Sequence, residues 1–171
     1  ILKQHIRNFK MYTVKSVKTF HGHDGYGWEC NLYNDKQKIA TVVEDGYGGE
    51  LKFYWTKATV STANTTRSTN VDKLELESFC KTLPKWDCIG KMIHTDKEIF
   101  VDSLVQAKLT EGDVKKLLKK ICFIDGLKVL TINLKFDESY IPKIMKRHPN
   151  ATILNTMPLG DAVKLYKQLA V

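Results

Sequence analysis

The chain lacks the run of roughly 20 apolar residues that a membrane-crossing helix needs. Its first ten residues, ILKQHIRNFK, scatter their apolar positions among charges and do not form the apolar core of a secretion signal. Cysteine is sparse: Cys30, Cys80, Cys88 and Cys122 make no Cys-x-x-Cys pair, and each sits in an apolar or half-apolar context, as reduced core thiols do. The sequons at Asn64 and Asn150 carry little weight without a secretion signal. Gly-x-Ser-x-Gly, His-Glu-x-x-His, Gly-x-Gly-x-x-Gly and Gly-Lys-Ser/Thr are all missing. These absences set aside a membrane anchor, a disulfide framework, a serine-hydrolase elbow, a zinc-protease helix and the common nucleotide loops. They predict a cytoplasmic, non-enzymatic protein with neither cofactor nor metal.

What is present describes an ordinary globular chain. It has 171 residues, 43% hydrophobic and 27% charged, so one domain is the default and no staple is needed. The net charge is +8 and the pI about 9.2, which favours anionic partners such as nucleic acid or an acidic protein face.

The pattern predicts an α+β fold. Residues 1–10 are a basic extension, and Met11 stands where a native start would fit. Residues 11–56 read as an antiparallel β lobe, a four-stranded meander whose first strand, Tyr12–Phe20, alternates imperfectly. Residues 57–70 are a Thr/Ser-rich connector, a boundary between lobes. Residues 71–171 read as a helical lobe with a β-hairpin packed among the helices, the whole compatible with one compact domain. Asn70 caps a helix over Val71–Thr82 with Leu74, Phe79 and Leu83 as its apolar contacts. Lys85–Thr95 is irregular, and a helix over Lys97–Ala107 follows. Thr110-Glu-Gly-Asp113 then starts a fresh helix, in which Val114, Leu117, Leu118 and Ile121 share a face. A hairpin around Asp125-Gly126, a helix from Asp137 to about His148, a short extended piece at Thr152–Leu154 and a last helix after Pro158 complete the chain.

Two stretches carry a resemblance. The first is HGHDGYGWECNLYNDKQKIATVVEDGYGGELKFYW; the second runs from Lys119-Lys-Ile-Cys-Phe through Ser139-Tyr-Ile-Pro to Ala151-Thr-Ile-Leu-Asn155. Together they cover about half the chain, and their glycine and aromatic placement resembles an uncharacterised family of small bacterial and phage proteins. The resemblance implies a shared fold and no activity. A phage origin would point to a host-takeover or anti-defence role by association alone.

Four candidate constellations remain. Lys115, Lys116, Lys119 and Lys120 share one helix face, and Lys143, Lys146 and Arg147 share another; with Lys128 and Lys135 between them they read as one converging surface for nucleic acid or a ribonucleoprotein. A solvated lysine face is the competing reading. In the glycine-rich region, Trp28, Phe53 and Trp55 face the core, while Tyr26, Tyr47, Asp24 and Asp45 are exposed candidates for contact with a host protein. Glycines there serve tight turns between strands, since neither run feeds a helix as a phosphate loop does. His21, His23 and Asp24 sit close enough in sequence for a metal, but no second His/Cys cluster completes a ligand set. Asp96, Glu98 and Asp102 have the spacing of carboxylates in a metal-dependent nuclease, a spacing that most helices offer by chance. The function that fits best is non-catalytic binding of nucleic acid through the C-terminal lysines. A phage anti-defence inhibitor acting by protein contacts is the alternative, and a metal-dependent nuclease-like enzyme the third.

Overall fold

The computed structural model describes residues 11–23, 25–57, 70–88 and 90–169, the side chains of 86–88 excepted. The basic extension 1–10, Asp24 and the interior of the connector lie outside the described residues. The chain divides into two compact units, 1–106 and 107–171. The connector 57–70 falls within the span of the first, and its ends are tied together. Asn70 Nδ2 donates to the Lys57 carbonyl at 2.9 Å, and Lys57 Nζ donates to Asp72 Oδ1 at 2.9 Å.

In the first unit, β1 (Tyr12–His21), β2 (Tyr26–Asn34), β3 (Gln37–Glu44) and β4 (Lys52–Trp55) form an antiparallel meander in chain order, as the pattern predicts. The imperfect alternation of β1 has a cause: pairing with β2 shifts between Lys15 and Lys18, where Ser16 takes φ 52°. Such a bulge changes which side chains face inward. Trp28, Cys30 and Leu32 are buried on the inner face beside Val42 and Ala40, with Phe53 and Trp55 half-buried next to them. From β1, the Tyr12 ring lies 4.9 Å from Phe79 and 6.0 Å from Phe100, which join it to α1 (Val71–Thr82) and α2 (Lys97–Leu117).

Asn70 caps α1, its Oδ1 accepting from the Lys73 amide at 3.1 Å. The buried stripe of α1 differs from the expected one: Leu74 is exposed, and Asp72, Leu76 and Cys80 are buried. A hydrophobic pattern cannot find a stripe that opens with a carboxylate, and here Lys57 neutralises it. The stretch expected to be irregular contains a small antiparallel ladder, β5 (Trp86–Cys88) with β6 (Lys91–Ile93). Strands of three residues are too short to show alternation.

The largest correction concerns α2, which is one helix where two were expected. Asp96 caps it, its Oδ1 accepting from the amides of Glu98 and Ile99, both at 2.9 Å. Thr110–Asp113 lies inside it. Val105 and Val114 are both buried, yet about two and a half turns apart at 3.6 residues per turn, so they fall on different stripes. That phase break reads as two helices in sequence, and the two units part beside it, after Gln106. The helix ends at Leu117, so Lys119 and Lys120 belong to the following turn and Ile121 to the next strand.

The second unit centres on a three-stranded antiparallel sheet in the order β8 (Lys128–Ile132), β7 (Ile121–Asp125), β9 (Thr152–Ile153). The expected hairpin is present; Asp125 pairs with Lys128 and the turn is Gly126-Leu127, Gly126 taking φ 60°. The short extended piece becomes β9. A 3-10 turn at Glu138–Tyr140, capped by Asp137, leads into α3 (Ile141–Arg147), and α4 (Leu159–Leu169) follows Pro158. Because side chains alternate along β7, Ile121 and Phe123 cluster with Ile144 of α3, whereas Cys122 clusters with Val114 of α2 and Ala162 of α4. The sheet therefore lies between α3 on one face and α4 with the end of α2 on the other.

Asn155 ties this unit together. Its Oδ1 accepts from the Cys122 amide at 2.7 Å, and its Nδ2 donates to the carbonyls of Leu118 at 3.0 Å and Lys120 at 2.8 Å. Replacement by alanine strands those groups, and Asn155→Ala is expected to cost about 2–3 kcal/mol. Asn155→Asp, with no donor for the carbonyls, should cost no less; urea unfolding followed by far-UV circular dichroism reads both.

The first unit carries a pH dependence. Burial pushes the Cys30 thiol up to about 12 and the Cys80 thiol to about 11, with lesser help from Glu29 and Asp96 respectively; burial and then Glu75 push the Tyr12 phenol to about 12. An unfolded chain releases these protons from about pH 8.5 to 10. The folded state thus holds more protons from that range upward, and its stability is full below about pH 8.5 and falls as pH rises toward 11–12. All three tryptophans lie in residues 1–106, so their fluorescence should report a lower urea midpoint at pH 10.5 than at pH 8, roughly at the middle of that window. A flat profile would contradict the assignment.

Candidate functional site

Positive charge is concentrated in the second unit. Residues 107–171 hold twelve Lys and Arg against six Asp and Glu, so +6 of the net +8 resides there. The sheet of this unit separates the helix-borne members of the two basic sets, which the sequence joins into one surface. Lys115 and Lys116 close α2, which packs on the Cys122 face, and Lys143, Lys146 and Arg147 lie on α3, which packs on the Phe123 face.

The two sets also differ in their neighbours. Lys115 Nζ donates to Glu111 Oε1 at 2.5 Å and Lys116 Nζ to Asp113 Oδ1 at 3.1 Å. Hydrogen bonds from Lys115 and then Lys108 hold the Glu111 carboxyl below its usual range. Half of the first set is thus offset by its own helix. Lys119, Lys120, Lys143, Lys146 and Arg147 are exposed and, among the described residues, take part in no ion pair.

The α3 cations border a groove of about 610 Å³. Its floor is Ile121, Phe123, Ile132, Leu134 and Ile144, and Tyr140, Lys143, Lys146, Arg147 and His148 line the rest. Lys115, Lys116, Lys119, Lys120, Lys128 and Lys135 are not among the lining residues. Lys143 Nζ sits 5.6 Å from the centre of the Tyr140 ring, in cation–π range. At one end His148 Nδ1 and Asp125 Oδ2 are 2.7 Å apart, and the imidazole packs 5.0 Å from the Phe123 ring. Ile132 and Leu134 are 40% and 48% exposed, so half the floor on the β8 side is open to solvent. Sequence reasoning found the cations and missed this floor. The signals were an apolar alternation running past the hairpin to Leu134, and a tyrosine three residues before Lys143, one helical turn away.

No protein family, curated protein or solved structure matches the chain. The function must come from these surfaces themselves.

In the first unit the two glycine runs meet. A Cβ on Gly22 would lie 2.7 Å from the Gly46 Cα and 2.8 Å from the Asp45 carbonyl oxygen, so the loops touch backbone to backbone. Gly46 takes φ 74°, which glycine adopts without strain. Over this junction stand Tyr26, at the start of β2, and Tyr47, 72% and 63% exposed. The His21 ring lies 4.5 Å from Tyr26, and the His23 ring stacks at 6.0 Å on Tyr47. Asp45 is engaged locally: its Oδ2 accepts from Lys52 Nζ at 2.5 Å and its Oδ1 from the Tyr47 amide at 3.1 Å, and these bonds, the lysine's first, hold its carboxyl below the usual range. Asp24 lies outside the described residues.

The two histidines of the metal reading lie on different tyrosines. Among the described residues no three His, Cys, Asp or Glu side chains gather as a metal site would. The three carboxylates of the nuclease reading have separate tasks. Asp96 caps α2, Glu98 Oε2 accepts from the Leu51 amide at 3.3 Å, and Asp102 accepts from Gln106 Nε2 at 3.2 Å.

The loop junction yields a stability test. Gly22→Ala forces backbone against backbone and is expected to cost about 1–3 kcal/mol. Gly49, whose added Cβ would meet nothing within 4 Å, should tolerate alanine within about 0.5 kcal/mol. Equal losses at the two positions in urea unfolding would refute the contact.

Proposed function

We propose that the chain is a non-catalytic binding protein that holds nucleic acid, free or within a ribonucleoprotein, on the α3 face of its second unit in a cytoplasmic setting. The observation that carries the reading is the row Lys143, Lys146 and Arg147, exposed and without acidic partners among the described residues, beside an open groove. Unpaired cations on one helix can displace the counterions of a phosphate backbone, and this supplies most of the affinity in non-specific binding. Lys119 and Lys120 add charge elsewhere on the unit. No helix among the described residues is long and apolar enough to cross a membrane.

A second reading rests on the first unit. Tyr26 and Tyr47 stand exposed above two loops that brace each other, and rigid exposed tyrosines suit a protein interface. An inhibitor of a host defence factor, in keeping with the phage resemblance, would use this end.

Binding to a labelled oligonucleotide across a salt series separates the two. Lys143→Glu with Arg147→Glu should weaken binding at least about tenfold and flatten the dependence of log affinity on log salt by roughly 1.5 to 2. Lys115→Glu with Lys116→Glu should do less, because those lysines are already offset by Glu111 and Asp113. A protein partner retained at high salt and lost in Tyr26→Ala with Tyr47→Ala, with no oligonucleotide binding, would replace the first reading by the second.

A further inference from the structure

We infer that the α3 groove receives an unstacked base, so that this surface takes single-stranded nucleic acid in preference to duplex; the inference rests on the nucleic-acid reading above. A surface built for phosphates alone has no use for an apolar floor. Ile132 and Leu134 nevertheless stand 40% and 48% exposed on that floor, and Tyr140 closes it beside the cations. A concave apolar floor with a few polar and charged groups at its rim is the form that ligand sites take. A base has two flat, weakly polar faces and can cover it, while the phosphates on either side remain within reach of the rim.

The dimensions agree. The groove volume of about 610 Å³ lies within the range of sites that enclose small planar ligands. Lys143 and Arg147 are four residues apart on α3, or about 6 Å of helix axis. The cations thus form a short row beside the floor, which suits a regularly charged backbone running along it. Duplex nucleic acid keeps its bases stacked inside and presents phosphates outward. Docked on the same row it would leave the floor in water and gain nothing from Ile132, Leu134 or Tyr140. A base can pack against the Tyr140 ring and the aliphatic floor, and such contacts tolerate any sequence because every base has a flat face. The preference should therefore be for form and not for sequence.

Two other occupants share part of this chemistry. A free nucleotide offers one base and one phosphate group but cannot use the whole row. An acidic peptide with apolar side chains could satisfy both rim and floor, and β8 is an edge strand of its sheet to which such a peptide could add. The regular row of charge favours the strand of nucleic acid.

The test is fluorescence anisotropy on the full chain with a labelled oligothymidylate and with a duplex of equal length, at one salt concentration. The single strand should bind at least about tenfold more tightly. Ile132→Thr and Leu134→Ser, which remove apolar floor without changing charge, should each weaken single-strand binding several-fold and leave duplex binding as it was. Circular dichroism melts of both variants exclude unfolding as the cause. Duplex binding as tight as single-strand binding, or single-strand binding indifferent to both floor variants, overturns the inference and leaves the nucleic-acid reading standing. Thymidine monophosphate or a glutamate-leucine peptide competing as well as the unlabelled strand overturns it in favour of that ligand. Failure to bind either form of nucleic acid removes both the inference and the reading beneath it.

Discussion

The second unit depends on what a single side chain does between the end of α2 and the start of β7. Carbonyls at a helix C-terminus have no partner within the helix, and the chain here must turn at once into a strand. Asn155 supplies both needs: its amide nitrogen takes the Leu118 and Lys120 carbonyls, and its amide oxygen takes the Cys122 amide. It is followed back by Leu154, fully buried, and Ile153, which pairs with Phe123. The register of β9 on β7 is thereby linked to the exit of α2. Register matters more here than stability alone, because a slip of one residue on β7 would exchange its two faces. Ile121 and Phe123 would turn toward α4, and the smaller Cys122 and Ile124 would replace them on the α3 side.

The same alternation decides how charge is used. Counting lysines suggests one large basic surface, but a strand whose successive side chains point to opposite faces keeps α2 and α3 on opposite sides of the sheet. What separates the two sets further is local pairing. Ion pairs at exposed helix positions contribute little to stability, about 0.3–0.5 kcal/mol, yet they matter for recognition because a lysine held by its own helix gains less from a phosphate. Glu111 stands between Lys108 and Lys115, and Asp113 beside Lys116. On α3 no carboxylate plays that part among the described residues. Asp125 is paired with His148 of the groove lining.

Much of the architecture was legible in sequence because it is written in local signals. The meander follows from β-branched and aromatic runs broken by glycine turns, the cap of α1 from Asn70, and the hairpin from Asp125-Gly126. The failures have physical reasons. A bulge at Ser16 hides the alternation of β1. A buried Asp72 hides the stripe of α1 until Lys57 is seen beside it. The two buried stripes of α2 are out of phase, so periodicity divides a continuous helix. At the candidate site the cations were legible as lysines and an arginine at helical spacing. The floor was not, since it is assembled from β7, β8, the segment after β8 and α3, and nothing in a linear pattern shows that Ile132 and Leu134 are left half uncovered.

The two candidate surfaces cannot serve one simple ligand. Around the glycine loops Tyr26 and Tyr47 are exposed and the neighbouring sequence carries Glu44, Glu50 and an Asp45 already paired with Lys52, while the α3 groove is lined by Lys143, Lys146 and Arg147 and by no carboxylate. Like charges at exposed positions repel one another, less so as salt rises. A polyanion that gains from the second surface would therefore be repelled at the first, and an acidic-patch-seeking protein face would be repelled at the second. A partner that engaged both would have to carry both kinds of surface, as a protein bound to nucleic acid does. That electrostatic opposition, more than the total of +8, ties the ribonucleoprotein form of the proposal to this chain.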